Sequence, residues 1–210
     1  KLVIDVDDHP MDVMLTYSKN AKTSRARKYY KFLSRWMQYS INKILKKAHY
    51  SFFTNANQVY AHHSVYLPNI PYFETDALPY TLTNNHTLLF IGDLRYEPNI
   101  IGIEHFVDNV FPMIRKRVLD ARLLIAGRYR DDDWRKKIEQ NDNIEVLGFV
   151  KELIPIYERA NVCVVPIYSG AGTNIKVLEA LQMGRACVVS EEGTRGFTSN
   201  LKNGRDYRLE

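Results

Sequence analysis

Thr87-Leu-Leu-Phe-Ile-Gly92, a helical stretch from Asn99 to about Arg117, then Ala121-Arg-Leu-Leu-Ile-Ala-Gly127: this alternation decides the fold. Short apolar runs that end at glycine read as strands buried on both faces. The stretch between them closes on Arg115, Lys116 and Arg117, cations that suit the negative end of a helix dipole. The period then repeats. Asp131 to Gln140 reads as a helix opened by three aspartates, Asn143 to Leu147 as a third strand and Glu152 to Ala160 as a short helix. Asn161 to Val165 is a fourth strand, Thr173 to Met183 a helix after a glycine-rich turn, and Ala186 to Ser190 a fifth strand. Such alternation predicts a doubly wound parallel sheet of the α/β class. Arg208-Leu-Glu210, after a turn signal at Asn203-Gly204, falls where the sheet should continue, and the chain opens without Met, so it is expected to be cut at both ends.

Outward from this block, the first third reads differently. Lys1-Leu-Val-Ile-Asp-Val-Asp-Asp8 is a short strand ending in acids. From Lys22 to Ala48 the apolar residues Tyr29, Phe32, Leu33, Trp36, Met37, Ile41, Ile44, Leu45 and Ala48 recur at steps of three and four, an amphipathic helix. Its other face carries Arg25, Lys28, Lys31, Arg35, Lys43 and Lys46. Tyr50 to Thr54 reads as a strand, and the prolines of Leu67-Pro-Asn-Ile-Pro71 and Pro79 mark a linker. The expected organisation is a partial second Rossmann-like domain over 1–72, a linker over 73–85 and a ligand-binding α/β domain over 86–210.

The 210 residues, 45% apolar and 25% charged, exclude disorder and collagen-like structure. No apolar run approaches the ~18 to 20 residues of a bilayer-spanning helix and no signal-peptide pattern opens the chain, which predicts a soluble protein. Cys163 and Cys187 lie inside apolar runs, not in a spaced framework, which fits a reducing, cytoplasmic compartment. The net charge of +5 hides an asymmetry: residues 1–73 hold 11 Lys+Arg against 4 Asp+Glu, and residues 74–210 hold 18 against 20. From Val13 to Phe73 there is no carboxylate. That predicts an anionic partner surface. In one reading of the basic helix, Phe32, Trp36, Ile41 and Leu45 pack on the N-terminal sheet and the lysines are solvated. In the other, residues 22–48 make a peripheral contact with anionic membrane, at the inner face of the plasma membrane, or with a lipid-linked acceptor. No recognition motif supports nucleic acid as a partner.

Ligands of open α/β sheets bind at the carboxyl ends of the strands, so the loops after Ile91, Ala126, Leu147, Val165 and Ser190 form the candidate site. Ser169-Gly-Ala-Gly-Thr173 leads directly into a helix, whose first N–H groups at Thr173, Asn174 and Ile175 suit a phosphate; a tight turn without a ligand would look the same. Neither a dinucleotide fingerprint nor a Walker loop is present. His62-His63 reads as an exposed pair, not a ligand site, and no metal is expected.

Gly170-Ala-Gly-Thr-Asn-Ile-Lys-Val-Leu-Glu-Ala180, followed by Met183-Gly184, Ala186-Cys-Val-Val-Ser190 and Gly193-Thr-Arg-Gly196, resembles the C-terminal half of retaining, GT-B fold glycosyltransferases of the group 1 family. Phe90-Ile-Gly-Asp-Leu-Arg-Tyr-Glu-Pro-Asn99 with Phe111-Pro112 is similar to the branch making bacterial surface polysaccharides, and Val146-Leu-Gly-Phe-Val150 and Ala160-Asn-Val-Cys-Val-Val-Pro166 to the family's nucleotide-pocket strands. The likeness covers about residues 86 to 200, and residues 1–72 resemble the end of the family's N-terminal domain.

The resemblance implies roles. Glu179 matches the ribose-binding glutamate, since a carboxylate accepts from both ribose hydroxyls. Lys176, three residues earlier on the same helical face, would lie near the diphosphate. Gly92 and Asp93 would let the first loop approach the phosphates, with Arg95 or Arg128 supplying charge. Gly172, Thr173, Asn174 and Ile175 would form the phosphate turn, and Phe149 and Val150 would meet the base, or simply pack in the core. Lys176 and Arg95 are the expected catalytic cations. The family's usual first glutamate, eight positions before Glu179, is replaced by Ala171. The implied activity is transfer of a hexose from a nucleoside-diphosphate sugar to a glycan or lipid-linked acceptor, with no cofactor. A fragment lacking most of the acceptor domain is expected to be inactive. A nucleotide-sugar 2-epimerase of the same fold, or a non-catalytic binding module, is the alternative.

Overall fold

A computed structural model describes residues 1–7, 9–54, 63–71, 78, 86–170, 172–197 and 201–209. The expected linker over 73–85 therefore lies, apart from Leu78, outside the described residues, as do His62 and Ala171. The chain forms two compact units. The first comprises Lys1–Asn69 with the segments Ser169–Thr173 and Arg195–Ser199, and the second holds the rest.

In the first unit, three parallel strands, β1 (Val3–Val6), β2 (Tyr50–Phe53) and β3 (Ser64–Tyr66), lie in the order β1-β2-β3. Two helices follow β1: α1 (Pro10–Asn20) and α2 (Ser24–Leu45). Hydrophobic periodicity does not announce α1, but its start is signalled in the sequence. His9 Nδ1 accepts from the Met11 N–H at 3.3 Å, Pro10 takes the first helical position, and Asp12 and Lys19 match the two ends of the dipole. α2 starts where the Thr23 hydroxyl accepts from the Ala26 N–H. Ser34 Oγ donates to Met11 O at 3.2 Å and Ser18 Oγ to Arg27 O at 3.1 Å, tying α1 to α2.

Val6, Leu45 and Phe53 make this unit's buried cluster, with Ile4 and Ile41 packed against it. Phe32 and Trp36, expected beside them, face outward and are 68% and 54% exposed. The reason is angular. Ser34 is buried against α1, and residues two positions either side of it lie about 160° around a helix of 3.6 residues per turn. The apolar residues of α2 thus belong to two stripes, of which only one is internal.

The second unit is a six-stranded, wholly parallel sheet of β4 (Thr87–Ile91), β5 (Arg122–Ala126), β6 (Ile144–Gly148), β7 (Val162–Val165), β8 (Ala186–Val189) and β9 (Arg208–Leu209). Its order is β6-β5-β4-β7-β8-β9, the doubly wound arrangement whose direction of winding reverses between β4 and β7. β9 is a sixth strand, pairing Arg208 with Val188, at the point where five strands were expected. Two residues are too few to make a periodic pattern. Between strands run α3 (Glu97–His105), α4 (Phe111–Arg117), α5 (Asp132–Ile138), α6 (Ile154–Glu158) and α7 (Ile175–Gln182).

The helix expected over Asn99–Arg117 is split by one widened turn, in which the Phe111 N–H bonds to Phe106 O five residues back. Pro112, which can donate no helical bond, follows at once. Earlier on that helix, a Cβ at Gly102 would lie 1.9 Å from Pro166 O, so only glycine lets α3 close on the chain leaving β7. Cys163 and Cys187 are buried free thiols in register on β7 and β8.

Candidate active site

Because all six strands are parallel, their carboxyl ends gather at one edge of the sheet, and there the chain from three neighbouring strands stays paired beyond the strands themselves. The Gly92 N–H bonds to Ala126 O at 3.0 Å, Leu94 N–H to Arg128 O at 2.7 Å and Gly127 N–H to Gly148 O at 2.8 Å. Gly127 makes this possible. Its φ is +140°, and a Cβ there would lie 1.8 Å from Gly92 O. Asn99, only 5% exposed, props the first loop from behind by donating to Asp93 O at 2.9 Å.

The pinned loops wall a cavity of about 370 Å³. From β4 it takes Ile91, Gly92 and Asp93, from β5 Ala126, Gly127 and Arg128, and from β6 Phe149, Val150 and Leu153. Glu179 of α7 completes the lining. The volume is at the lower end of the ~300 to 1,000 Å³ of small-molecule sites. Arg128 lies with its guanidinium carbon 4.9 Å from the centre of the Phe149 ring, and that ring is 65% exposed. A ring left so exposed offers a flat apolar surface to a planar group, and the cation beside it can meet an anion.

Glu179 is half-buried, and loss of water pushes its carboxyl above the ordinary range, with the Lys176 ammonium pulling the other way. Lys176 donates to Asn99 Oδ1 at 3.2 Å. Asn99 therefore couples the Asp93 loop to α7, a role that appears only when the two elements meet. Its sequence signal was its place at the end of Phe90-Ile-Gly-Asp-Leu-Arg-Tyr-Glu-Pro-Asn99.

Of the two candidate arginines, Arg128 lines the cavity, while Arg95 is clasped by Asp93, with Nε to Oδ1 at 2.9 Å and a terminal nitrogen to Oδ2 at 2.5 Å. The Arg95 hydrogen bond holds the Asp93 carboxyl below its ordinary range. α7 begins at Ile175, two residues later than the helix expected from Thr173, because Asn174 keeps a non-helical backbone and donates its side-chain amide to Glu192 O and Gly193 O at 3.3 and 3.2 Å. Gly172 and Thr173 belong to the first unit, where Arg195 Nε donates to Gly172 O at 2.9 Å. Thr173 Oγ1 is buried there and has no hydrogen-bond partner among the described residues. Also among the described residues, no group of three or more His, Cys, Asp or Glu is placed to hold a metal.

The arrangement can hold an anion at Arg128, a diol at Glu179 and a flat ring at Phe149. A Klebsiella pneumoniae protein, described as a 44.6 kDa protein in the cps region, is 28% identical over 124 residues, which are 56% of this chain and 32% of that protein. The pneumococcal O-GlcNAc transferase GtfA, solved with UDP and GlcNAc, superposes with a TM-score of 0.64 at 18% identity, over all of this chain and 41% of its own. WaaG, described as a glycosyltransferase involved in lipopolysaccharide biosynthesis, gives 0.63 at 11% identity over 99% of this chain and 60% of its own. At such identities these structures establish the fold, that of the GT-B glycosyltransferases. The chain spans about a third of the Klebsiella protein's length. The family described as "Glycosyl transferases group 1" matches residues 85–209, well over half of the sequence, and the chain belongs to that family.

Proposed function

We propose that this chain carries the donor-binding part of a glycosyltransferase that moves a hexose from a nucleoside-diphosphate sugar onto a glycan or lipid-linked acceptor in cell-surface polysaccharide synthesis, with retention of configuration. The observation that carries the reading is Glu179, a half-buried carboxylate lining the same cavity as Arg128 at the carboxyl edge of a doubly wound sheet. A carboxylate kept from water at a cost to its ionisation is well suited to accept from two ribose hydroxyls.

In transfer, the bond from the anomeric carbon to the diphosphate breaks as a bond to the acceptor oxygen forms, and the acceptor hydroxyl's proton passes to the departing diphosphate. The sugar gains positive charge and the departing diphosphate negative charge, so cations fixed beside the diphosphate lower the barrier. Arg128 takes that place and Lys176 assists from α7. Arg95 acts through Asp93, fixing the first loop. Phe149 and Val150 take the base. The scheme uses no metal or other cofactor, and its location is the cytoplasm. The UDP and GlcNAc bound by GtfA, the part of WaaG in lipopolysaccharide biosynthesis and the cps region of the Klebsiella protein support this choice of donor and pathway class.

Titration calorimetry of the full-length protein with UDP, GDP and TDP tests the site. One of the three should bind, and Glu179→Ala should weaken it about 10- to 100-fold, as expected for a hydrogen-bonded charge. Unchanged affinity rejects the assignment. Product analysis with the matching nucleotide sugar separates transfer to an acceptor from epimerisation of the free donor.

A further inference from the structure

Asn99 stands in the first turn of α3, buried, with both ends of its side-chain amide engaged. Nδ2 donates to Asp93 O at 2.9 Å, and Oδ1 accepts from the Lys176 ammonium at 3.2 Å. Chemistry fixes that orientation. A carbonyl only accepts and an ammonium only donates, so a turned amide would set acceptor against acceptor and donor against donor. Gly92 hems the amide in on one side, where a Cβ would lie 3.0 Å from Nδ2 and 3.3 Å from Cγ. Gly92 and Asp93 both line the cavity, so the Lys176 ammonium stands two hydrogen bonds from its wall.

We propose, resting on the nucleoside-diphosphate reading of the cavity, that Asn99 is a positioning residue for the diphosphate: its amide oxygen holds the Lys176 ammonium beside the Asp93 loop. A lysine carries a point charge on a flexible stem, so its worth to an anion depends on what fixes its tip. Asn99 does this without cancelling the charge. Asn174 Oδ1, 3.5 Å from the same ammonium, is a second neutral amide oxygen. A carboxylate at either place would pair with the ammonium and turn negative charge toward the phosphates. Glu179, whose carboxyl the Lys176 ammonium pulls down, stands three residues further along α7, which leaves ribose and diphosphate to neighbouring residues of one helix.

The test is titration calorimetry of the full-length protein with UDP, GDP and TDP and with the matching monophosphates. A cation held for the diphosphate favours the ligand of larger charge, whereas Glu179 meets the ribose that both share. Asn99→Leu, close to asparagine in size, should lower the preference for diphosphate over monophosphate about 10-fold. Asn99→Asp, which keeps the shape and cancels the charge, should lower it at least as far, and it carries the test if Asn99→Leu loses the wild-type circular dichroism. In a Lys176→Met background, where the cation is already gone, Asn99→Leu should change the preference less than about 2-fold. Glu179→Ala should weaken both ligands alike. An unchanged preference in either folded Asn99 variant, or an Asn99→Leu effect as large without Lys176 as with it, overturns the proposal, because the amide then only props the Asp93 loop. If instead Glu179→Ala weakens neither ligand, or none of the three diphosphates binds, the reading of the cavity falls and the role of Asn99 with it.

Discussion

Along α2, Leu45 is 3% exposed while Trp36, nine residues earlier, is 54% exposed; along α7, Val177 and Ala180 are buried and Glu179 between them is half-buried. The first helix turns aromatic rings outward and the second turns a carboxylate toward a cavity. Neither choice favours folding, because one forgoes hydrophobic burial and the other desolvates a charge. The carboxylate marks a surface kept for a ligand, and the two surfaces differ in kind. The cavity has fixed loops and a half-buried carboxylate, suited to one small molecule, whereas the outer face of α2 offers an extended row of rings. A residue that contradicts its local pattern thus points to function at the cavity.

The sharpest way to break this contrast is through the rigidity of the cavity. Gly127→Ala would set a methyl group 1.8 Å from Gly92 O at a backbone angle of +140°. About 3 kcal/mol or more of stability should be lost in denaturant unfolding, together with nucleotide binding. A variant that melts like the wild type would mean that the three loops are loose, and the cavity not preformed. Next in size is Leu45→Ala on the inner side of α2, which should cost about 2 to 4 kcal/mol because the cluster with Val6 and Phe53 has few other members.

The strands that build the cavity were legible because a strand buried on both faces is an unbroken apolar run. Thr87–Ile91 matches to the residue, and β5 to β8 shift by one residue at most at either end. What failed was whatever depends on which neighbour a face meets. The stripe of Phe32 and Trp36 satisfies helical spacing as well as the stripe of Leu33, Met37 and Ile41, and only packing against α1 and the sheet separates them. The choice between Arg95 and Arg128 was illegible for the same reason: both are arginines close behind a strand, and only the folded loop sets Asp93 against the first. Asn99 was visible as part of a motif, yet its bonds to Asp93 O and Lys176 join residues 6 and 77 positions apart.

A smaller effect probes the carboxylate from the stability side. Desolvation raises the folded pKa of Glu179 above its unfolded value near 4.3. The protonated carboxyl therefore contributes stability in full below about pH 4.3, and that contribution is lost as pH rises through the folded value. At neutral pH the ionised group is a net cost, so Glu179→Gln should gain stability, by less than about 1 kcal/mol, while losing nucleotide affinity. Wild-type affinity should rise with pH across that window, as the carboxylate able to accept from ribose forms, and the variant's profile should be flat there. A variant both less stable and pH-dependent would place the titrating group elsewhere.

The smallest expected change is also the closest comparison, since it lies on the same helix as the large one. Trp36→Ser removes a ring whose surroundings are already mostly water, so unfolding free energy should move by no more than about 0.5 kcal/mol, against the several lost with Leu45→Ala. Tryptophan and serine have nearly the same helix propensity, so the backbone adds little to that. If Trp36→Ser instead destabilises as much as Leu45→Ala, the outer aromatic residues of α2 are part of a core. If stability hardly moves, the outer stripe of α2 contributes little to folding while the inner one holds the unit together, which is the distinction that separates the two faces of this helix.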